Sequence, residues 1–400
     1  MRLKNLLVLS AVLFFLSCQS SREAFIKNQN NIEFQEKKTY SYSPEGIYFS
    51  NEFASARLNN VTQINDSTYS LLISPENTPI NPSPWYAFSV WSKNPQNLYL
   101  KINYEGAKHR YNPHKKIQNG SWEEIEDLQI AENKNSVEFK IQSSSKKQII
   151  SGQPLFNADS IQNWLGEIKR FPAVKTKTIG KSLMGKKMFA YYTPVSENKK
   201  AVLIFGGQHP PEITGYKAQM AFVNFLFSDD QRAVKFRSQY QIIGVPWLNP
   251  DGGFEGHWRH TAAGVDLNRD WTTFVQPESQ NARDFVMDFV NNLQVDIVFA
   301  VDFHSTYHDV YYTNLDVEGK PNHMQGLIAN WLEEMQKLMP EHEVKFTKSA
   351  AAGRVSKSWF MTDLKAEGVT YEVGDLTSDE VIKYKAEIAV IALINLLLDK

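Results

Sequence analysis

Two histidines and a glutamate in this 400-residue sequence have the residue types of a metal site. His209 and Glu212 are three residues apart, so an imidazole and a carboxylate can reach one ion where the chain turns. His304 directly follows a second apolar segment, and ligands in open α/β sheets gather beyond the carboxyl ends of strands. Two histidines and one carboxylate leave a coordination position of zinc open for water, which is the arrangement of a catalytic site.

The His209–Glu212 pair alone is a weak signal. A chain of 400 residues with 9 histidines and 44 acidic residues contains roughly one histidine that is followed three positions later by an acidic residue by chance. Further polar groups strengthen it. Asn249-Pro250-Asp251-Gly252 follows an apolar segment, and Arg259 and the run Asp266-Leu267-Asn268-Arg269 come next. Glu372 lies inside a late apolar segment, where a glutamate is costly unless it is paired or functional.

In this order, the motifs resemble those of the M14 family of zinc carboxypeptidases. The resemblance covers about residues 155–400 and is closest to the cytosolic-carboxypeptidase branch of that family. It implies that His209, Glu212 and His304 bind one Zn²⁺ ion in each chain.

The same resemblance implies a role for each of the other polar residues. Glu372 would be the general base, and Arg259 would stabilise the oxyanion of the transition state. Asn268 and Arg269 would hold the terminal carboxylate of the substrate, for which a guanidinium fork is suited. Asp266 would hydrogen-bond a zinc-binding histidine and so fix the orientation of its ring.

Side-chain specificity depends on a residue shortly before the final catalytic strand. By resemblance, Lys357 falls near that position, with Arg354 as the other candidate. A cation there favours a substrate that ends in an acidic residue. The prediction is therefore a substrate-binding Lys357 and a preference for C-terminal Glu or Asp.

The elements that position these residues can be predicted from residue 155 onward. Apolar strands alternate with helical patterns, which is typical of an α/β domain with a mainly parallel or mixed sheet. The predicted strands are 201–205, 241–247, 295–303 and a fourth from 368, and the predicted helices are 213–227 and 279–292. The fold class is thus α/β, a carboxypeptidase-like mixed sheet flanked by helices in a catalytic domain of residues 155–400.

Residues 41–150 have a different pattern. Short runs alternate apolar and polar residues, as in Trp85 to Trp91 and Val137 to Ile141, and turn-forming clusters separate them. This spacing predicts an antiparallel β-sandwich domain before the catalytic domain.

The first residues resemble a bacterial lipoprotein signal. Residues 1–17 combine a basic start with an apolar stretch, and Cys18 is the one cysteine of the sequence. The prediction is that Cys18 is lipidated and anchors the protein to a membrane of the bacterial cell envelope, either in the periplasm or at the outer membrane, with residues 18–40 as a linker. A plain signal peptide is the alternative.

Composition excludes several classes of function. Lys plus Arg is 43 and Asp plus Glu is 44, so the net charge of -1 argues against a nucleic-acid partner. One cysteine excludes an internal disulfide and a zinc site made only of thiolates.

The sequence therefore predicts a zinc metallocarboxypeptidase that hydrolyses the C-terminal peptide bond of peptides. Two alternatives stay open. One is a carboxypeptidase or amidase that acts on peptidoglycan fragments, whose stem peptides also carry free carboxylates. The other is a catalytically silent peptide-binding protein of the same fold.

Overall fold

The computed structural model describes residues 32–118, 120–195, 197–315, 323–348 and 353–398. The predicted signal peptide and Cys18 lie outside these ranges. In the described parts of the chain, no helix is both long enough and apolar enough to cross a membrane.

The secondary structure follows the two-part pattern of the sequence. The strands are β1 (Thr39–Tyr42), β2 (Ile47–Ser50), β3 (Asn60–Asn65), β4 (Thr68–Ile73), β5 (Ala87–Ser92), β6 (Gln96–Tyr104), β7 (His114–Ile117), β8 (Glu123–Glu124), β9 (Leu128–Ile130), β10 (Ser136–Ser143), β11 (Gln148–Ser151), β12 (Lys175–Lys181), β13 (Lys187–Tyr192), β14 (Lys200–Gly206), β15 (Tyr240–Val245), β16 (Asp296–Thr306), β17 (Val310–Thr313), β18 (Phe346–Lys348) and β19 (Glu367–Gly374). The α-helices are α1 (Ala158–Ile168), α2 (Ile213–Phe227), α3 (Gln231–Gln239), α4 (Pro250–Glu255), α5 (Pro277–Met287), α6 (Leu327–Leu338), α7 (Ser356–Thr362) and α8 (Asp379–Leu398).

Strands β1 to β11 form two sheets whose buried apolar residues belong to one core. Their orders are β1-β2-β5-β11-β7-β8 and β3-β4-β6-β10-β9. Alternate residues of β10 are buried, as a strand with one face on a core requires. The pairing is antiparallel with one exception, since β4 and β6 run parallel.

The segment before β1 differs from the expectation of a linker that reaches residue 40. Ile32 is buried, and the Glu33 amide donates to the carbonyl oxygen of Glu76 at 2.8 Å. The side chain of Gln35 bonds the carbonyl oxygens of Ala56 and Glu255. Residues 32–38 therefore lie against the folded body, where they satisfy backbone carbonyls of both parts of the chain.

The part of the chain predicted to be catalytic is built on an 8-stranded mixed sheet, called the catalytic sheet below, of order β12-β13-β15-β14-β16-β19-β17-β18. The central strands β15, β14, β16 and β19 are parallel, and helices cover both of their faces. In β14, Val202 and Ile204 belong to the core that includes α2 and α8, whereas Leu203 and Phe205 belong to the core under α5 and α7.

The predicted mixed α/β fold with a preceding region of mainly antiparallel sheet is confirmed. One placement was wrong in detail. His304 was expected just after its strand, but β16 continues through it to Thr306. His304 thus pairs in register with Glu372 on β19, which brings the two side chains to the same level of the sheet.

Candidate active site

The three predicted metal ligands meet at the carboxyl end of the central strands. His209 lies in the turn after β14, where Gly207 has a φ of 72° that other residues rarely adopt. Glu212 precedes the first residue of α2, and His304 comes from β16. Their ligand atoms all lie within 4.8 Å of one another, and all three residues are buried.

Both histidines turn the same ring nitrogen towards the centre of this cluster. His304 Nδ1 is 3.1 Å from His209 Nδ1, and these atoms are 2.8 and 2.9 Å from the two Glu212 oxygens. Burial acts to raise the pKa of Glu212, but the two histidines lower it well below its ordinary value. Two facing nitrogens and an ionised carboxylate, all buried, are a donor set that fits a divalent cation such as zinc.

The outward nitrogens of both rings contact carboxylates. His209 Nε2 is 3.0 Å from Asp266, the residue expected to orient a metal-binding histidine. His304 Nε2 is 2.9 Å from Asp302, which is fully buried in β16. Such partners fix which nitrogen faces the metal and raise the basicity of the ring. Sequence reasoning missed Asp302, although an isolated carboxylate in an apolar strand was the signal that singled out Glu372.

Glu372 lines the pocket next to the cluster. Burial is the main reason that its pKa rises to about 7, and Glu212 adds to the rise while His304 and Arg259 oppose it. Its Oε2 atom has no hydrogen-bond partner among the residues that the structure describes. A partly buried carboxyl group of raised pKa beside a metal cluster is suited to accept and return a proton.

Loops after β15 carry the predicted substrate-binding groups. Arg259 Nε donates to Asp266 at 2.7 Å, so one carboxylate holds both this guanidinium and the ring of His209. The Asn268 side chain accepts from the Ser356 amide at 2.9 Å. The Arg269 side chain is 50% exposed. All three predicted residues line the pocket of about 440 Å³ that contains the three predicted metal ligands.

Lys357 lies on α7 and lines the same pocket. It is buried, and its Nζ donates to the side-chain oxygen of Asn314 at 2.6 Å. Arg354, the other candidate, is exposed and lines a larger cleft of about 1140 Å³ that shares Arg259 and Arg269 with the pocket. The structure therefore brings Lys357 to the pocket of the predicted metal ligands and leaves Arg354 at the neighbouring cleft.

The sandwich also contributes to the wall of the pocket, through Asn81, Ser83 and Arg110. Arg110 forms a bidentate ion pair with Asp375, with distances of 2.7 and 3.2 Å. Burial is the largest influence on the Asp375 carboxyl and raises its pKa, while Arg110 opposes the rise. Sequence reasoning did not find Asn81, Ser83 and Arg110, because they form no motif and precede the catalytic sheet by many positions.

Comparisons with known proteins agree with this geometry. The sequence profile of the zinc carboxypeptidase family, Peptidase_M14, matches residues 161–371. Cytosolic carboxypeptidase 6 of Caenorhabditis elegans is 23% identical over 366 residues, which cover 83% of this chain and 76% of that protein. Cytosolic carboxypeptidase 3 of Mus musculus is 23% identical over 293 residues, which cover 64% of this chain but only 29% of that protein.

A solved structure shows the same fold. The metallo-carboxypeptidase from Burkholderia cenocepacia superposes with a TM-score of 0.71 at 16% identity. The superposition covers 88% of this chain and 98% of the other, so it includes the sandwich as well as the catalytic sheet.

Proposed function

The chain belongs to the zinc carboxypeptidase family, and from that premise we propose that it is a zinc-dependent hydrolase which removes the C-terminal residue of peptides. The observation that carries the proposal is the buried cluster of His209, Glu212 and His304 with Glu372 in register beside it. One zinc ion held by the three ligands would act as a Lewis acid on the scissile carbonyl group and lower the pKa of water.

The protein's own residues supply the proton transfers and the charge stabilisation. Glu372, with its pKa near neutrality, would take a proton from the attacking water and deliver it to the leaving amine. Arg259 lines the same pocket with its guanidinium held by Asp266, and it would stabilise the negative charge that the carbonyl oxygen gains.

Binding of the terminal carboxylate is assigned to Asn268 and Arg269. Both line the pocket, and the half-exposed Arg269 has room to receive an anion from solvent. A substrate held by its carboxylate presents only its last peptide bond to Glu372, which makes the reaction an exopeptidase reaction.

A preference for an acidic C-terminal residue is supported by the cations of the pocket. Lys357 is buried in the wall, and Arg259 and Arg269 lie on the same pocket. A carboxylate side chain that enters beside Lys357 forms a charge-assisted hydrogen bond in a site shielded from water.

Activity can be tested with the full mature chain and peptides that differ only in the last residue. We expect loss of single C-terminal residues, abolition by a zinc chelator, and restoration by added zinc. The Glu372→Gln variant is the control for a contaminating peptidase. If residues are released only from peptidoglycan fragments, those fragments rather than peptides are the substrate. If peptides are bound but not hydrolysed, the chain is a catalytically silent peptide-binding protein.

Specificity can be tested with paired substitutions. Lys357→Met is expected to lower kcat/KM for a C-terminal Glu substrate by about 10- to 100-fold, the range of a lost charged hydrogen bond, and to spare a C-terminal Phe substrate. Arg354→Gln is the matched control, since Arg354 lines the neighbouring cleft. An equal loss for both substrates in Lys357→Met would contradict the assignment.

We further propose that Cys18 is lipidated and tethers the protein in the bacterial cell envelope. The support is the signal-like segment before it. Metabolic labelling with a fatty acid and membrane fractionation would test this, with Cys18→Ser as the comparison. Equal labelling of both proteins would contradict it.

A further inference from the structure

The loop that carries Arg259 is held by the sandwich as well as by its own domain, from which the Asn249 side chain donates to the His260 carbonyl oxygen. This loop, residues 256–260, follows α4, and Gly256 ends that helix in the left-handed region with a φ of 66°. Arg57 Nε donates to the Gly256 carbonyl oxygen at 2.6 Å. The indole of Trp258 donates to the carbonyl oxygen of Trp85 at 3.1 Å.

Glu76 bonds this loop at three backbone amides and one histidine side chain. Its carboxylate, on the loop between β4 and β5, is 0% exposed. It accepts hydrogen bonds from the amides of Trp258, Arg259 and His260, at 2.8, 3.0 and 2.8 Å. Nδ1 of His260 lies 3.1 Å from the same carboxylate. Three consecutive amides that point at one anion fix the backbone on both sides of Arg259.

The Glu76 carboxylate is ionised in this environment. Burial acts to raise its pKa, but His257, His260 and the buried Arg57 together lower the pKa well below its ordinary value. A buried charge is tolerated when it is paired and fully hydrogen-bonded. The sandwich thus places a full negative charge where the catalytic loop presents its amide donors.

We propose that Glu76 is a positioning residue for Arg259, so that the sandwich supplies part of the transition-state binding of the catalytic domain. The inference rests on the proposed function, in which Arg259 stabilises the oxyanion. The connection is continuous. Glu76 holds the backbone of Arg259, whose guanidinium donates to Asp266 at 2.7 Å, and Asp266 contacts His209.

A double-mutant cycle separates positioning from general support of the fold. Glu76→Gln removes the negative charge with little change of shape. When the amide oxygen takes the place of Oε1, the acceptor for Arg259 and His260, the amide nitrogen faces the Trp258 N–H; the reverse orientation sets it against the other two amides. We expect it to lower kcat about 10- to 100-fold with KM within about threefold, because the lost interaction is made in the transition state. In an Arg259→Ala background, the same substitution is expected to change kcat by less than about threefold.

Asn77→Ala is the matched control. Asn77 is the next residue of the same loop, and its side chain bonds the Gly264 carbonyl oxygen at 3.1 Å. The control removes an interdomain hydrogen bond without a contact to the Arg259 amide, so kcat is expected to stay within about threefold of the wild type.

A second readout does not depend on activity. In protein labelled with ¹⁵N-arginine, the Arg259 Nε–H resonance, identified by its loss in Arg259→Lys, should be protected from solvent exchange by Asp266. Glu76→Gln should remove this protection, whereas Arg110 Nε–H, which bonds Asp375, should keep its own. If Glu76→Gln does not fold, Glu76→Asp, which keeps the charge one methylene short of the amides, takes its place with the same expected direction.

The outcomes are distinct. A wild-type protein that binds zinc and releases no residue would refute the proposed function, and the resonance comparison would still decide the role of Glu76. An equal loss of kcat in both backgrounds, or an Arg259 resonance that stays protected in Glu76→Gln, would overturn the inference.

Discussion

Asp302 is expected to set the zinc affinity through His304. Its Oδ2 atom accepts from His304 Nε2 at 2.9 Å, from the side-chain amide of Gln208 at 2.5 Å and from the hydroxyl of Ser356. Its Oδ1 atom has no partner among the described residues. In Asp302→Asn, the amide oxygen can therefore occupy the Oδ2 position and keep all three hydrogen bonds, so the substitution mainly removes a charge.

The size of the effect follows from that geometry. Loss of an outer partner of a metal-binding histidine weakens metal binding about 10- to 100-fold, or about 1.4 to 2.8 kcal/mol. Asp302→Asn preserves the orientation of the His304 ring and reduces only its basicity, so we expect the lower end, about 10-fold. Asp302→Ala also releases the ring, and we expect about 100-fold.

The assay is competition for zinc between the purified protein and a chelator of known affinity. Asp309→Asn is the matched control, because Asp309 is also a hydrogen-bonded aspartate near β19 but contacts the Gly374 amide and Lys385 instead of a histidine. Thermal unfolding of the zinc-free proteins shows whether each variant is folded. Asp302→Ala with a zinc affinity equal to that of Asp309→Asn would refute the reasoning.

Three further predictions concern the base, a buried carboxyl pair and the interdomain ion pair. Glu372→Gln should lower kcat by about 10²- to 10⁴-fold while zinc binding, measured by metal analysis after dialysis, is retained. Burial, with a smaller effect of Asp251, raises the pKa of Glu278 to about 8, so its contribution to stability is full below pH 4.5 and is lost as the pH rises through about 8. In denaturant unfolding from pH 4.5 to 8, the free energy of unfolding should fall less for Glu278→Gln than for the wild type. A variant with the same pH dependence as the wild type would contradict the assignment. Arg110→Met leaves Asp375 buried without its ion-pair partner and should reduce the free energy of unfolding by about 3 to 5 kcal/mol, whereas a change below about 1 kcal/mol would show that the pair is solvated.

The catalytic sheet could be predicted because its central strands are covered on both faces. Such strands are continuous apolar runs, as in residues 201–205, and stand out from the surrounding helical periodicity. The strand end at His304 was misplaced for a physical reason. A polar residue usually marks the end of a buried strand, but here the imidazole is satisfied by Asp302 and Glu212 and the backbone continues to pair with β19.

The residues that sequence reasoning missed fall into two kinds. Asp302 carried a readable signal, a carboxylate in an apolar strand two residues before a candidate ligand. Glu76 and Arg110 carried none. Both lie in polar loops of the sandwich, and Glu76 is 182 positions from Trp258, whose amide it accepts. Only the packing of the two parts of the chain creates these contacts, so no local pattern can indicate them.

This packing bears on whether the catalytic part could function alone. Within the loop 256–260, His257 N donates to Gly252 O, but the amides of 258–260 donate to Glu76. Without the sandwich those amides would donate to water, and the side chain of Trp258, which is 0% exposed, would become exposed to solvent. Because Trp85 and Trp258 belong to one continuous apolar core, the two parts bury surface jointly, and separation would expose it in both. A chain that began at residue 155 would keep the elements that carry the three predicted zinc ligands but would lack the hydrogen bonds between Glu76 and the Arg259 loop. The sandwich and the catalytic sheet are therefore expected to unfold together. The boundary in the sequence pattern separates two kinds of architecture rather than two parts that fold independently.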